Sequence, residues 1–130
     1  MLSLVYRRAW LAGGLLLVLT VVAASLLPIP VLPEAPGGDK LHHLIAYAAV
    51  TLWFAGMLEP RFQIPVALAL LVLSSSIEWL QGMPAIGRSR EAADLAANGT
   101  GIVLGLAAAR LGLGGWCLQV ERWLGLEHAR

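Results

Sequence analysis

Long apolar stretches alternate with short polar connections along this chain of 130 residues. Four stretches approach the roughly 20 residues that a helix needs to cross about 30 Å of hydrocarbon. They are 9–27, 41–58, 62–81 and 93–113. The pattern predicts an all-α integral membrane protein, a four-helix bundle that forms a single domain over residues 1–130.

The first stretch also has features of a secretory signal peptide, because Arg7 and Arg8 precede its apolar residues. It is longer than the usual apolar part of a signal peptide, and no small-x-small cleavage site follows it. We therefore expect a retained first helix. Four prolines between Pro28 and Pro36 predict an extended loop after it, and Pro60 predicts that the second helix ends near Leu58.

The composition agrees with a membrane protein, since 58% of residues are hydrophobic and 13% are charged. The net charge of +1 includes no basic cluster that would neutralise a run of phosphates, so we expect no nucleic-acid partner. The single cysteine, Cys117, excludes an internal disulfide and a cysteine-based zinc cage. We expect no cofactor.

Polar residues recur at helical spacing near the ends of three predicted helices. Offsets of three or four residues place such side chains on one face of a helix. The sets are Asp39, His43 and Tyr47 in the second helix, Glu78 and Gln81 in the third, and Asp94 and Asn98 with Gly101 and Gly105 in the fourth. Acids and amides on one face of a membrane helix cost free energy in hydrocarbon, so we expect that face to meet something polar.

The distribution of positive charge predicts the orientation. The side with the N-terminus, the second connection and the C-terminus has Arg7, Arg8, Arg61, Arg110, Arg122 and Arg130; the other side has Lys40, Arg88 and Arg90. The positive-inside rule then places both termini in the cytoplasm. The three polar sets lie near the opposite boundary, so we expect one polar cavity at the outer leaflet above a dry bundle.

Each polar residue also has a purely structural interpretation. Asp39 is suited to cap the second helix, and His43 to hydrogen-bond between helices. Glu78 is suited to an ion pair or to a protonated, hydrogen-bonded carboxyl group. Arg88 either binds an anionic group or pairs with an acidic residue of the loop.

Two further patterns concern packing and the end of the chain. Gly101 and Gly105 form a small-xxx-small motif, which lets a second helix approach closely. Trp116 and Trp123 are seven residues apart, which places them on one face of a C-terminal amphipathic helix at the membrane interface.

Together the spaced motifs between Gly38 and Gly105 resemble the pattern of VanZ-like membrane proteins, relatives of the teicoplanin-resistance accessory protein. The resemblance is carried by Asp39-Lys40-x-x-His43-x-x-x-Tyr47, by Glu78-x-x-Gln81, and by Arg88 followed by Asp94, Asn98, Gly101 and Gly105. It departs from the usual pattern after Gln81, where Gly82-Met83-Pro84 replaces a more aromatic segment. The resemblance implies a multi-helix protein of the bacterial cytoplasmic membrane, with a link to glycopeptide resistance for some members.

The leading hypothesis is a polar site that binds or modifies a lipid-linked or lipidated envelope molecule, such as a cell-wall intermediate or a lipoglycopeptide. Membrane lipids are the expected partners, and the sequence leaves the oligomeric state open. The expected ligand-binding residues are Asp39, Lys40, Tyr47, Gln81, Asp94 and Asn98. The alternative is a structural membrane protein that assembles with a partner and whose polar residues form an ion-paired packing network.

An enzyme is a further hypothesis, with His43 as general base or acid, Glu78 as its carboxylate partner, and Arg88 stabilising negative charge. No sequence signature of a hydrolase or phosphatase accompanies these residues. Asp39, His43, Glu78 and Asp94 are also of metal-ligating types, but their spacing matches no established ligand motif, so we expect no metal.

Overall fold

The computed structural model describes residues 1–27, 38–86 and 91–126, and these ranges are helical with short connections. The helices are α1 (Arg7–Leu26), α2 (Gly38–Met57), α3 (Pro60–Gln81), α4 (Ala92–Ala108) and α5 (Trp116–Trp123), with a wide π-helical turn (Ala109–Leu113) after α4. The all-α prediction is confirmed. The predicted proline-rich loop falls largely on residues 28–37, which lie outside the described residues.

The helix boundaries differ from the prediction in two places. Asp39 lies inside the first turn of α2, which begins at Gly38, so it is not placed as an N-cap. The predicted fourth helix, 93–113, instead ends its regular part at Ala108. Gly112 then has φ 122° and Gly115 has φ 73°, and such positive values favour glycine, so this glycine-rich segment can leave the helix and begin α5.

Within the described residues, three helical segments are long and apolar enough to cross a membrane: Arg7–Leu26, Pro60–Gln81 and Ala92–Leu113. This indicates a membrane protein. The second helix, α2, is not among the three, because its first turns carry Asp39, Lys40, His42 and His43. Of the four predicted crossings, α2 is therefore the one that composition does not support.

Exposed hydroxyl groups on these apolar helices are bonded within their own helix. Thr20 donates to Leu16 O, Ser75 and Ser76 donate to Leu71 O and Val72 O, and Thr100 donates to Ala96 O, all at 2.8–2.9 Å. Such bonds leave no free hydroxyl donor, which hydrocarbon would penalise. The outer surface is therefore compatible with lipid.

The closest approach between two helices is that of α4 to α2. A Cβ atom at Gly101 would lie 2.3 Å from Leu44 O, and one at Gly105 would lie 2.8 Å from Ala48 O. The two glycines therefore let the helix backbones touch. The core beside this contact consists of Tyr47, Val50, Ala67, Leu70 and Ile102.

At the end of the molecule where α2 terminates, three tryptophans pack together. The ring centroids of Trp10, Trp53 and Trp116 are 5.3–5.7 Å apart. Each indole N–H has an acceptor, respectively Glu121 Oε1, Trp10 O and Leu52 O. Trp123 shares no part of this cluster and is 85% exposed, so the two tryptophans predicted on one face of α5 have different surroundings.

Glu121 joins α5 to the start of α1. Its side chain is buried, and its carboxylate accepts hydrogen bonds from the Val5 and Tyr6 backbone N–H groups at 2.7 and 2.9 Å. It also accepts the Trp10 indole bond at 2.8 Å. A carboxylate beside the first N–H groups of a helix is favoured by the helix dipole. The N-terminus and the C-terminal helix are therefore held together at this end.

We expect Gly101→Ala to lower the free energy of unfolding by about 1–3 kcal/mol, because the new methyl group overlaps the α2 backbone. SDS titration of the protein in mixed micelles, followed by tryptophan fluorescence, measures this. Gly99→Ala is the matched control, since its Cβ would meet nothing within 4 Å. Equal stabilities of the two variants would contradict the close contact.

We expect Glu121→Ala to lower the free energy of unfolding by roughly 3 kcal/mol, because three partly buried donors lose a charged acceptor. The same titration measures it. Gln119→Ala, an exposed change in the same helix, serves as the control and should shift stability by less than about 0.5 kcal/mol. A loss no larger than that of the control would remove Glu121 from this role.

Candidate functional site

Those residues of the predicted polar site that the structure describes lie at the end of the molecule opposite the tryptophan cluster. Three elements build the site: the first turns of α2, the last turn of α3 and the first turns of α4. The side chains of His43, Glu78, Gln81, Asp94 and Asn98 are each at most 9% exposed. We call these five residues, together with Asp39, Lys40, Tyr47 and Glu91, the polar cluster.

His43 is the centre of the polar cluster. Its Nδ1 lies 3.0 Å from Asn98 Oδ1, a buried contact between α2 and α4. Its Nε2 lies 3.7 Å from Asp39 Oδ1 and 3.9 Å from Asp94 Oδ2. The carboxylate oxygens within 4 Å of Nε2 thus belong to two aspartates. Glu78, the carboxylate partner of His43 in the enzyme hypothesis, accepts a hydrogen bond from the Glu91 backbone N–H.

Lys40 links the first turns of α2 and α4. Its Nζ bonds Glu91 Oε2 at 2.9 Å and lies 3.6 Å from Asp94 Oδ1. The hydrogen bond that Lys40 donates to the Glu91 carboxylate is the main reason that the pKa of Lys40 is raised, with the charges of Glu91 and Asp94 acting in the same direction. Lys40 and Glu91 are both partly exposed, so solvent screens much of this interaction.

The last turn of α3 contributes Glu78 and Gln81. Glu78 Oε2 accepts the Glu91 backbone N–H at 3.4 Å, which ties α3 to the start of α4. Gln81 Nε2 donates to Ser25 O at 2.8 Å and so satisfies a carbonyl at the C-terminal end of α1. Gln81, predicted as a ligand-binding residue, is therefore also a contact between α3 and α1.

Among the buried atoms of the polar cluster, Tyr47 OH, Gln81 Oε1 and Asp94 Oδ1 make no hydrogen bond in the described part of the chain. Tyr47 is close to Ser74, whose hydroxyl donates to Leu71 O and keeps its own lone pairs as acceptors. Buried polar atoms are normally bonded, and one that is not calls for an explanation such as a bound ion, water or ligand. The atoms without bonds therefore mark where the polar cluster has capacity for a ligand.

The structure corrects the expectation of a dry bundle beneath the polar cluster. At the opposite end, Gln63 and Glu121 are also buried, and Arg110 Nε donates to Gln63 Oε1 at 3.3 Å. Their hydrogen bonds to neighbouring segments explain how polar groups are tolerated there. Sequence spacing missed Glu121 because no polar residue lies three or four positions from it, and it missed Gln63 because Glu59, four positions earlier, belongs to the charged turn before the predicted helix.

Two contributors to the polar cluster were not predicted as site residues: Ser25, whose carbonyl binds Gln81, and Glu91, which binds Lys40 and Glu78. The only signal for Ser25 in the sequence was that it is a polar residue near the end of the apolar first helix. Arg88, predicted as catalytic, and Arg90 lie outside the described residues.

No protein-family model, curated protein or solved structure matches the chain. The resemblance of the motifs to VanZ-like proteins therefore stays a prediction. Interpretation of the function depends on the geometry of the polar cluster.

We expect Tyr47→Phe to leave the free energy of unfolding unchanged or to raise it, because a buried hydroxyl without a partner costs about 1–3 kcal/mol. Asn98→Ala should lower it instead, since His43 loses its hydrogen-bond partner. SDS titration of both variants in the absence of ligand compares them. A Tyr47→Phe loss as large as that of Asn98→Ala would show that the hydroxyl is already satisfied.

Proposed function

We propose that this chain is a VanZ-like multi-pass protein of the bacterial cytoplasmic membrane that binds or modifies a lipid-linked or lipidated envelope molecule. In this proposal all four long helices cross the membrane as a bundle, and α5 lies at the cytoplasmic interface with both termini. The polar cluster then faces the outer leaflet. Teicoplanin, which carries an acyl chain, and lipid-linked cell-wall intermediates are the ligands that the family resemblance suggests.

The observation that carries this proposal is the set of buried polar atoms without hydrogen bonds in the polar cluster. In a network that only stabilises packing, we expect every buried polar atom to be hydrogen-bonded, since each unsatisfied atom costs stability. Tyr47 OH, Gln81 Oε1 and Asp94 Oδ1 come from three different helices. A polar ligand group that enters between α2, α3 and α4 would provide the missing bonds.

The chemistry of the described side chains favours a ligand rich in hydroxyl or ammonium groups. Most of the free capacity belongs to acceptors, the oxygens of Gln81 and Asp94. Lys40 is the cation among the described residues of the polar cluster, and its side chain is partly exposed and able to meet an anionic group. Sugar hydroxyls of a glycolipid or lipoglycopeptide fit these acceptors.

An apolar groove beside the polar cluster supports a lipidated ligand. It has a volume of about 630 Å³ and runs along the outer face of α3 between Leu71 and Leu80. The end of the groove that is nearer to the polar cluster includes Trp79, the neighbour of Glu78 in the chain. A ligand whose headgroup occupied the polar cluster would thus have an apolar surface nearby for its hydrocarbon chain.

The alternative is a structural membrane protein whose polar cluster is a packing network and whose function is to assemble with a partner. The contacts within the cluster favour this second candidate: Lys40 with Glu91, His43 with Asn98, and Gln81 with Ser25 O. Each contact joins two different helices. Under this alternative, substitutions change folding yield and stability but no ligand affinity.

Binding of fluorescently labelled teicoplanin to the full chain in nanodiscs tests the proposal, with deacylated teicoplanin and a polyprenyl phosphate as further probes. We expect Gln81→Leu to weaken binding by about tenfold, since an amide hydrogen bond contributes roughly 1 kcal/mol or more. Gln63→Leu is the matched control, because it removes a buried amide at the opposite end of the bundle. It should leave affinity unchanged.

Absence of binding by the folded wild-type protein to each of the three probes would favour the structural alternative. Equal weakening by Gln81→Leu and Gln63→Leu would have the same meaning, because a loss that does not depend on position reflects general destabilisation.

A further inference from the structure

Asp39, His43 and Asp94 bring three potential metal ligands into one small space. One imidazole nitrogen and one oxygen from each carboxylate all lie within 4.8 Å of one another. The separations of 3.7 and 3.9 Å from His43 Nε2 are too long for hydrogen bonds. The three groups therefore converge on a common point without bonding to each other.

The tautomer of His43 follows from its other nitrogen. Nδ1 faces the carbonyl oxygen of Asn98 at 3.0 Å, and an oxygen only accepts, so Nδ1 carries a proton. In the neutral ring Nε2 then presents a lone pair toward the two carboxylates. Histidines that bind metal usually donate their second ring N–H to an acceptor in this way, which fixes the ring orientation.

Burial and charge support a cation at this position. The Asp94 side chain is only 6% exposed and its Oδ2 faces His43, while its Oδ1, which faces Lys40, has no hydrogen-bond partner. Lys40 approaches that oxygen only to 3.6 Å and makes its shorter bond with Glu91. Beside the Lys40–Glu91 pair, the carboxylates of Asp39 and Asp94 place two negative charges near His43 Nε2, and a divalent cation at that point would balance these two charges.

We propose that Asp39, His43 and Asp94 bind a divalent transition-metal ion, Zn²⁺ or Mn²⁺, through His43 Nε2 and one oxygen of each aspartate. Mixed imidazole and carboxylate ligands suit these ions. Zinc–ligand bonds of about 2.0–2.2 Å in a tetrahedral site require ligand atoms roughly 3.3 Å apart. The separations of 3.7 and 3.9 Å from His43 Nε2 are longer than that value, so in this proposal the side chains move closer together when the metal binds. The inference rests on the geometry of these three residues and holds whether or not the proposed lipid ligand binds.

Metal content and affinity of the full chain in detergent, purified without a histidine tag and dialysed against chelator, test the proposal. Zn²⁺ and Mn²⁺ are titrated separately by calorimetry. We expect one equivalent of one of these ions to bind and its affinity to fall at least about tenfold in His43→Gln. His42→Gln is the matched control, since His42 is the adjacent, exposed histidine of the same helix, and its affinity should equal that of the wild type.

Two more variants keep the test independent of folding. Asp39→Asn should also weaken binding at least about tenfold, and its side chain is one-third exposed, so the change is tolerated better than one at a buried site. Lys40→Gln should tighten binding, because it removes a competing cation 3.6 Å from Asp94. A purely structural ion-pair network predicts no such gain.

The proposal is overturned if the folded wild type binds neither ion stoichiometrically, or if His43→Gln and Asp39→Asn bind as tightly as the wild type. If His43→Gln fails to fold, the affinity of Asp39→Asn decides. Retained teicoplanin binding by a protein that binds neither metal would refute the metal site alone. Metal binding without teicoplanin binding would refute only the lipidated-ligand proposal.

Discussion

The close approach of α4 to α2 determines the arrangement of the polar cluster. At Gly101 and Gly105 the two backbones come so near that no side chain fits between them. One turn before Gly101, the same face of α4 presents Asn98 to His43. Interhelical hydrogen bonds need separations near 3 Å. A bulkier residue at Gly101 would push α4 away from α2 and separate His43 from Asn98. Packing and polar contact are therefore two parts of one interface.

The two ends of the molecule differ in how their buried polar groups are hydrogen-bonded. At the tryptophan end, the Glu121 carboxylate and the three indole N–H groups are matched by short hydrogen bonds. This is a closed arrangement that holds the N-terminus to α5. At the other end, Tyr47, Gln81 and Asp94 each retain a buried atom without a hydrogen bond. The two ends therefore differ in how far their buried polar atoms are hydrogen-bonded.

The functional proposals use different parts of the polar cluster. The lipidated-ligand proposal depends on acceptors at the junction of three helices, whereas the metal proposal depends on His43 and its two neighbouring aspartates. Asp94 belongs to both sets, since one of its oxygens faces His43 and the other faces Lys40. A metal held through Asp94 would place a positive charge where an anionic or hydroxyl-bearing headgroup would enter. The two proposals are thus compatible, although neither requires the other.

The sequence by itself determined the helical class, the positions of the long apolar segments and the faces on which His43, Gln81 and Asn98 lie. These features depend only on neighbouring residues, because the length of an apolar stretch and a period of 3.6 residues can be read directly from the sequence. Only the tertiary structure decided that His43 meets Asp39 and Asp94, that Gln81 binds α1, and that Glu121 is buried against the N-terminus. Residues 116 positions apart, such as Val5 and Glu121, leave no periodic signal, since their contact depends on how the helices pack.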